Sequence, residues 1–283
     1  MRNKLTDELA VCGLNTIRAL SENHPEKINR LFLREDRLPL FTGLCKRLAE
    51  RKRPYKLCEN EELERVCKTP HHQGIVAMIY EPVIEGITPE DIETWAAEGK
   101  TGLLLCDIGN DLNLGAIVRS AAFFDASPVI LASQGGEERL KNTEEQFQDD
   151  KSRVDGLSEK QLTTGAYRAA EGGMEFVEFR SVRRPAAFLR DASKRLITIG
   201  TDPRARSRIN DIPQLIKKQK TPLEKDRSNK PGIVLVIGNE ETGLSAEIKE
   251  QCTFLARIPG TGLIESLNAA QAATLFLQAL YEC

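Results

Sequence analysis

Three features of this 283-residue sequence predict an α/β fold built on a parallel sheet. Gly102 to Asp107, Leu114 to Phe124 and Pro128 to Ala132 read as strand, helix and strand, the rhythm of a βαβ unit. The alternation resumes downstream with a helix over Thr164 to Glu171, a strand Phe176 to Phe179, a helix Ala186 to Lys194 and a strand Leu196 to Gly200. Two C-terminal blocks, Ile233 to Ile248 and Arg257 to Leu280, each run from a short apolar strand through a Gly-rich polar turn into a helix.

The elements before this region point to a smaller α/β domain. Apolar positions from Leu5 to Leu20 recur at helical spacing, Ile28 to Leu33 reads as a strand, and Leu38 to Arg51 returns to helical periodicity. Tyr55 to Leu57, an acidic helix from Glu61 to Val66, the tight turn His71-His72-Gln73-Gly74 and the β-rich run Ile75 to Tyr80 complete it. Glu81 to Lys100 holds Pro82, Gly86, Pro89 and Gly99, and one modest helix over Pro89 to Ala97 that Thr88 would cap. The expected division is a domain over 1–82, a linker over 83–100 and a second domain over 101–283. Ser133 to Leu162 and Lys217 to Lys230 are polar and charged, and read as surface excursions.

Composition narrows the function classes. A hydrophobic fraction of 40% is enough for a real core, and 40 basic residues nearly balance 42 acidic ones. A polyanionic partner would therefore have to be met by local patches. Lys46, Arg47, Arg51, Lys52, Arg53 and Lys56 form one such cluster, and Arg204, Arg206 and Arg208 another. Solvated helix faces would look the same. Aromatics at 5% give no base-stacking platform. Seven cysteines without a C-x-x-C pair, and only three histidines, match no zinc spacing and fit a reduced, cytoplasmic protein. The acidic residues near the N-terminus do not fit a signal peptide, and no apolar run is long enough to span a membrane.

The two C-terminal corners are where chemistry would gather. Glycines at a strand end let a ligand approach bare backbone, and a following helix N-terminus offers unpaired amides. Ordinary strand-to-helix corners share this form, but here Glu240, Ser266 and Asn268 stand in the turns. In Asp107 to Asp125, Arg119 falls on a helix opened by Asn113 and Gly115. A solvated arginine and a guanidinium aimed at phosphate or a developing oxyanion both fit that position. No G-x-G-x-x-G follows the first strand, and no G-x-x-x-x-G-K-[ST] occurs.

Taken in order, three blocks resemble the SpoU or TrmH family of RNA ribose 2′-O-methyltransferases, within the SPOUT class. Asn113-Leu114-Gly115-Ala116-Ile117 with Arg119-Ser120-Ala121 is similar to the first motif, and Ile237-Gly238-Asn239-Glu240 with Gly243-Leu244 to the second. Ile258-Pro259 with Ser266-Leu267-Asn268 and the Ala-rich helix is similar to the third. Gly13-Leu14-Asn15 and His72-Gln73-Gly74-Ile75 look like markers of the family's small RNA-binding domain. The resemblance implies a knotted parallel-sheet domain that binds S-adenosylmethionine, preceded by a small α/β substrate-binding domain, with rRNA or tRNA as substrate, a homodimeric assembly and no metal.

Carried over residue by residue, it implies that Arg119 acts on the target ribose and its phosphate and that Asn113 organises that loop. Glu240 would brace the site, and Ser266 and Asn268 would hold the arginine and the substrate. Cofactor contacts would come from Ile237, Gly238, Ile258, Gly260, Leu267 and Ala269. Where the family motif continues Ser-Leu-Asn-Val-Ser, this chain has Ala269-Ala270-Gln271 after Asn268. A non-catalytic RNA-binding or ribosome-assembly factor on the same fold is the alternative reading, and a nucleotide-dependent enzyme lacks its glycine fingerprint.

Overall fold

The computed structural model describes residues 2–3, 8–80, 82–132, 162–219 and 230–283; the excursion at 133–161 and the segment 220–229 lie outside the described residues. The chain divides into two compact units. The first takes in Met1–Val83, Asn110–Arg119 and Gln161–Phe176, and the second takes in the remaining segments.

In the first unit, β1 (Arg2–Asn3), β2 (Glu8–Cys12), β3 (Ile28–Leu33), β4 (Tyr55–Leu57) and β5 (Ile75–Tyr80) form one sheet in the order β1-β2-β5-β3-β4. Helices α1 (Leu14–Asn23), α2 (Leu38–Glu50) and α3 (Asn60–Cys67) accompany it. The helix expected from Leu5 is corrected at its first half. Glu8 to Cys12 is a strand buried at all five residues, paired antiparallel with β5, and helix begins only after Gly13. A short run buried on both faces carries no two-residue alternation, so periodicity could not tell it from helix.

Beyond Val83 the chain forms β6 (Glu85–Gly86), α4 (Pro89–Ala97), β7 (Thr101–Cys106), α5 (Asp111–Phe123), β8 (Val129–Ala132) and α6 (Thr164–Ala170). It continues through β9 (Phe179–Val182), α7 (Pro185–Ala192), β10 (Ile197–Thr201), β11 (Ser207–Arg208) and α8 (Ile212–Lys218). The last elements are β12 (Ile233–Ile237), α9 (Ala246–Gln251), β13 (Phe254–Arg257) and α10 (Ala269–Tyr281). The strand expected at Phe176 to Phe179 begins only at Phe179, because a 3-10 turn occupies Gly173–Glu175.

The second unit holds an eight-stranded sheet in the order β11-β13-β10-β12-β7-β8-β9-β6, with every pairing parallel. Ile199, Leu235, Leu103 and Val129 stand in register across its four central strands. The unbroken apolar runs of β7 and β12 suit strands covered on both faces. Trp95, Leu104, Ile130, Leu189, Val236 and Ile248 belong to one core cluster. At about 1.5–3 kcal/mol for each large apolar side chain fully buried, such a cluster is a main stabilising element of the unit. Thr88 caps α4 in a reciprocal capping box with Asp91, as its sequence suggests. The stretch Glu81 to Lys100 therefore carries α4, whose Trp95 is buried in that core, and β6, the sheet's outer strand. β12 is inserted between β10 and β7, which reverses the strand order; crevices at strand C-termini beside such a reversal are where α/β sheets bind ligands.

Two segments from the middle of the chain complete the first unit. Thr164 Oγ1 donates to the Ala10 carbonyl at 2.6 Å, Asn15 Nδ2 to Glu171 Oε2 at 2.7 Å, and Lys27 Nζ to Glu175 Oε2 at 2.8 Å. The start of α5 packs on α6 at Gly115, where a Cβ would meet the Ala166 carbonyl oxygen at 2.4 Å and the Ala169 Cβ at 2.6 Å. Asn113 and Gly115 therefore do not open this helix. Asn110 does: its side-chain oxygen accepts the Leu112 amide at 2.8 Å, and its carbonyl accepts the Leu114 amide at 3.0 Å.

Candidate functional site

In the first unit an open groove of about 550 Å3 is lined by Pro70, His71, Gln73, Arg119, Arg168 and Glu171, among others. Arg119 reaches it from α5, with an exposed side chain. Arg168 comes from α6 and donates through Nη1 to Thr69 Oγ1 at 3.0 Å, which fixes that guanidinium against the loop before β5. Gln73 is held too: its Oε1 accepts the Leu14 amide at 2.7 Å, at the start of α1. Next to it His72 is buried, which pushes its imidazole below the ordinary value, and its Nδ1 accepts the Gly74 amide at 3.0 Å. The neutral ring therefore carries its proton on Nε2.

Two guanidiniums and one carboxylate, Glu171, already hydrogen-bonded by Asn15, leave the groove with an excess of positive charge. Planar forks of this kind suit a phosphodiester. The sequence points to Arg119 but not to Arg168 or Glu171, because Arg168-Ala169-Ala170-Glu171-Gly172-Gly173 reads as an ordinary helix end. The groove draws on α5, α6 and the loop before β5, which no local pattern announces. Asn113 is half-buried on the first turn of α5, not a groove-lining residue.

The other candidate residues belong to the second unit and divide between two corners. At the C-terminal end of β12, Ile237 and Gly238 are buried. A Cβ on Gly238 would lie 2.5 Å from the Gly243 carbonyl carbon and 2.6 Å from the Leu244 nitrogen, so the turn closes directly over it. Asn239 ties this turn down. Its Nδ2 donates to the Asp107 carbonyl at 2.9 Å, just past β7, while its Oδ1 accepts the Glu241 and Thr242 amides at 2.9 and 3.1 Å. Glu240 follows, half-buried. Asn239 belongs to the second motif, and its side chain is the strap that joins two neighbouring strand ends.

At the C-terminal end of β13, Ile258 is half-buried and Pro259 to Asn268 are exposed, including Gly260, Ser266 and Leu267. Asn268 caps α10, accepting the Ala270 amide at 2.9 Å and the Gln271 amide at 3.4 Å. Ala269, the first residue of α10, is buried. The exposed backbone here, beside the apolar side chains of Ile258 and Leu267, fits a ligand with an apolar ring system and polar ends.

Residues 10–82 match a family described as RNA 2′-O ribose methyltransferase substrate binding, and residues 150–278 match the SpoU rRNA Methylase family. A 23S rRNA (guanosine-2′-O-)-methyltransferase, RlmB of Acinetobacter baylyi, is 26% identical over 278 residues, covering 95% of this chain and 94% of its own. Among solved structures, an rRNA methyltransferase from Sinorhizobium meliloti aligns with a TM-score of 0.69 at 20% identity, covering 98% of this chain and 88% of its own. The SpoU methyltransferase AviRb from Streptomyces viridochromogenes, solved with AdoMet, aligns with a TM-score of 0.64 at 19% identity, covering 98% and 91%. These two likenesses establish the fold of the described chain. With both family matches in the expected order along one polypeptide, the chain belongs to the SpoU/TrmH family of RNA ribose methyltransferases.

Proposed function

We propose that this protein transfers a methyl group from S-adenosylmethionine to a ribose 2′-hydroxyl of structured rRNA or tRNA. The observation that carries the reading is the pair of family matches on one chain, a substrate-binding region at 10–82 and a SpoU region at 150–278. RNA shape and the 2′-hydroxyl are natural handles for such an enzyme.

The residues of the second unit fit the cofactor. Backbone at Gly238 and Gly260 and the apolar side chains of Ile237, Ile258 and Leu267 would hold it, with Ala269 at the start of α10. When bound, S-adenosylmethionine supplies an electrophilic methyl group on a sulfonium. Arg119 would pair with the phosphate next to the target ribose and stabilise the charge that develops on the hydroxyl oxygen as its proton leaves. Arg168, fixed by Thr69, would take a second phosphate oxygen. Asn113 would organise the start of α5, Glu240 would brace its corner, and Ser266 and Asn268 would hold the substrate. The family's knot is proposed for the segment that follows β13.

We further place the protein in the cytoplasm as a homodimer. Among the described residues no helix is long and apolar enough to cross a membrane. Leu263 and Ile264 are 89% and 80% exposed, an apolar face that a second copy would cover. Replacing both by serine should turn a dimer into a monomer in sedimentation velocity.

The decisive experiment maps ribose methylation by mass spectrometry in cells lacking the protein. One 2′-O-methyl mark should be missing and should return with the unaltered chain. With purified protein and unmethylated RNA, Arg119→Ala should lower transfer by about 10²-fold or more and leave cofactor affinity intact. Equal loss of both would make Arg119 structural. Absence of any missing mark would favour the non-catalytic RNA-binding reading.

A further inference from the structure

Ser207–Arg208 is the outermost strand of the eight-stranded sheet, and it pairs in parallel with β13 so that Arg208 faces Arg257 in register. Like charges at register positions repel. Along this segment Ala205 and Ile209 are buried, while Arg204 before them and Arg206 and Arg208 between them are exposed. Three guanidiniums therefore project from one short edge, with Arg257 half-buried beside them.

The edge is held rigidly. The Asp202 amide donates to the Ala256 carbonyl at 3.1 Å, and Asp202 Oδ1 accepts the Arg204 amide at 2.8 Å. Asp202 Oδ2 pairs with Lys249 Nζ at 2.7 Å. The nearest acidic groups do not neutralise the row. Glu265 reaches Arg204 only at 3.5 Å with both side chains at least four-fifths exposed, a pairing of little strength in water, and Asp211 Oδ2 is engaged by the Arg208 backbone amide at 2.7 Å. Among the described residues, Arg206, Arg208 and Arg257 have no acidic side-chain partner. In a chain of formal net charge −2, such a concentration is a local departure. Its place is also informative, since Arg257 leads directly into the exposed corner that starts at Ile258.

We propose that Arg204, Arg206, Arg208 and Arg257 form a phosphate-binding row that holds the RNA backbone flanking the target nucleotide, a contact separate from the Arg119 groove. This rests on the RNA methyltransferase reading above. Guanidiniums take phosphate oxygens in forked pairs, and each contact to a single strand steepens the salt dependence of binding.

The test uses the full chain and labelled rRNA transcripts carrying no methylation, with binding measured across a range of salt concentrations. Arg204→Gln/Arg206→Gln/Arg208→Gln should weaken RNA binding by about tenfold or more and lower the slope of log affinity against log salt by about two. In turnover the loss should fall on KM for RNA, and S-adenosylmethionine affinity should not move. The corresponding lysine variant should recover most of the salt slope. Arg183→Gln/Arg184→Gln, exposed arginines elsewhere on the second unit, serves as the charge control. If the triple variant binds RNA as the parent does, or if the control loses as much, the row is wrong while the activity stands. If the parent chain binds none of these RNAs, the activity and the row fall together.

Discussion

The two corners at the C-terminal ends of β12 and β13 begin from the same local pattern and are finished in opposite ways. After β12 the turn is closed: Gly238 is buried beneath Gly243 and Leu244, Asn239 makes hydrogen bonds in two directions, and the Gly243 amide donates to the Asn239 carbonyl at 3.0 Å. After β13 the chain runs exposed from Pro259 to Asn268 and is secured at its far end by the Asn268 cap. One corner is a prefolded platform whose polar groups are used internally. The other keeps its backbone and apolar side chains available. A binding crevice needs both, because a ligand held by two mobile loops would lose affinity to ordering each of them.

The largest expected effect strikes the closed corner. Gly238→Ala places a methyl group against backbone atoms of Gly243 and Leu244 that cannot move aside without opening the turn. We expect a loss of about 3 kcal/mol in urea unfolding, the upper end for an overpacked core. Cofactor affinity should fall with it. A variant as stable as the parent would mean that this corner is as loose as its neighbour, and the contrast would be lost.

Asn239→Ala comes next. It removes the bond to the Asp107 carbonyl and leaves the Glu241 and Thr242 amides without their acceptor, at a cost of about 1–3 kcal/mol. Because the strap joins the ends of β7 and β12, amide hydrogen exchange should quicken at Asp107 to Gly109 as well as at Glu240 to Gly243. Faster exchange at the second set alone would show that the turn closes without the strap.

These two residues mark what sequence could and could not convey. The parallel sheet was legible, because β7, β8 and β12 are largely apolar runs set among helix-length segments. The Thr88 cap was legible because a capping box is local. Gly115 reads as a helix start in the sequence, since nothing in its neighbours reveals that α6 will press on it 51 residues later. The recruitment of Thr164 and Glu175 to the first unit was hidden for the same reason: it depends on partners at Ala10 and Lys27, far away in the chain. Asn239 could be read as part of a motif, but its role depends on Asp107 lying across the sheet, which follows only from the insertion of β12 beside β7.

Asn268 separates two roles at the open corner. As the cap of α10 it is worth about 1 kcal/mol, so Asn268→Ala should lose roughly that amount and Asn268→Ser only a few tenths. If the side chain also holds substrate, Asn268→Ser should remain stable yet transfer methyl groups poorly, with the loss in kcat. Full activity in the serine variant would reduce Asn268 to a cap.

The smallest expected effect on stability is the most informative about the open corner. A Cβ at Gly260 would meet no atom within 4 Å, and Gly260 does not adopt a positive φ. Gly260→Ala should therefore change the unfolding free energy by no more than about 0.5 kcal/mol, as surface substitutions do. The same methyl group would cover backbone that we assign to the cofactor. Calorimetric titration with S-adenosylmethionine should then show weaker binding to a protein of unchanged stability, a separation that Gly238→Ala cannot produce. Unchanged binding would remove Gly260 from the cofactor site and shift the contact toward Leu267 and Ala269, the residues that enter α10.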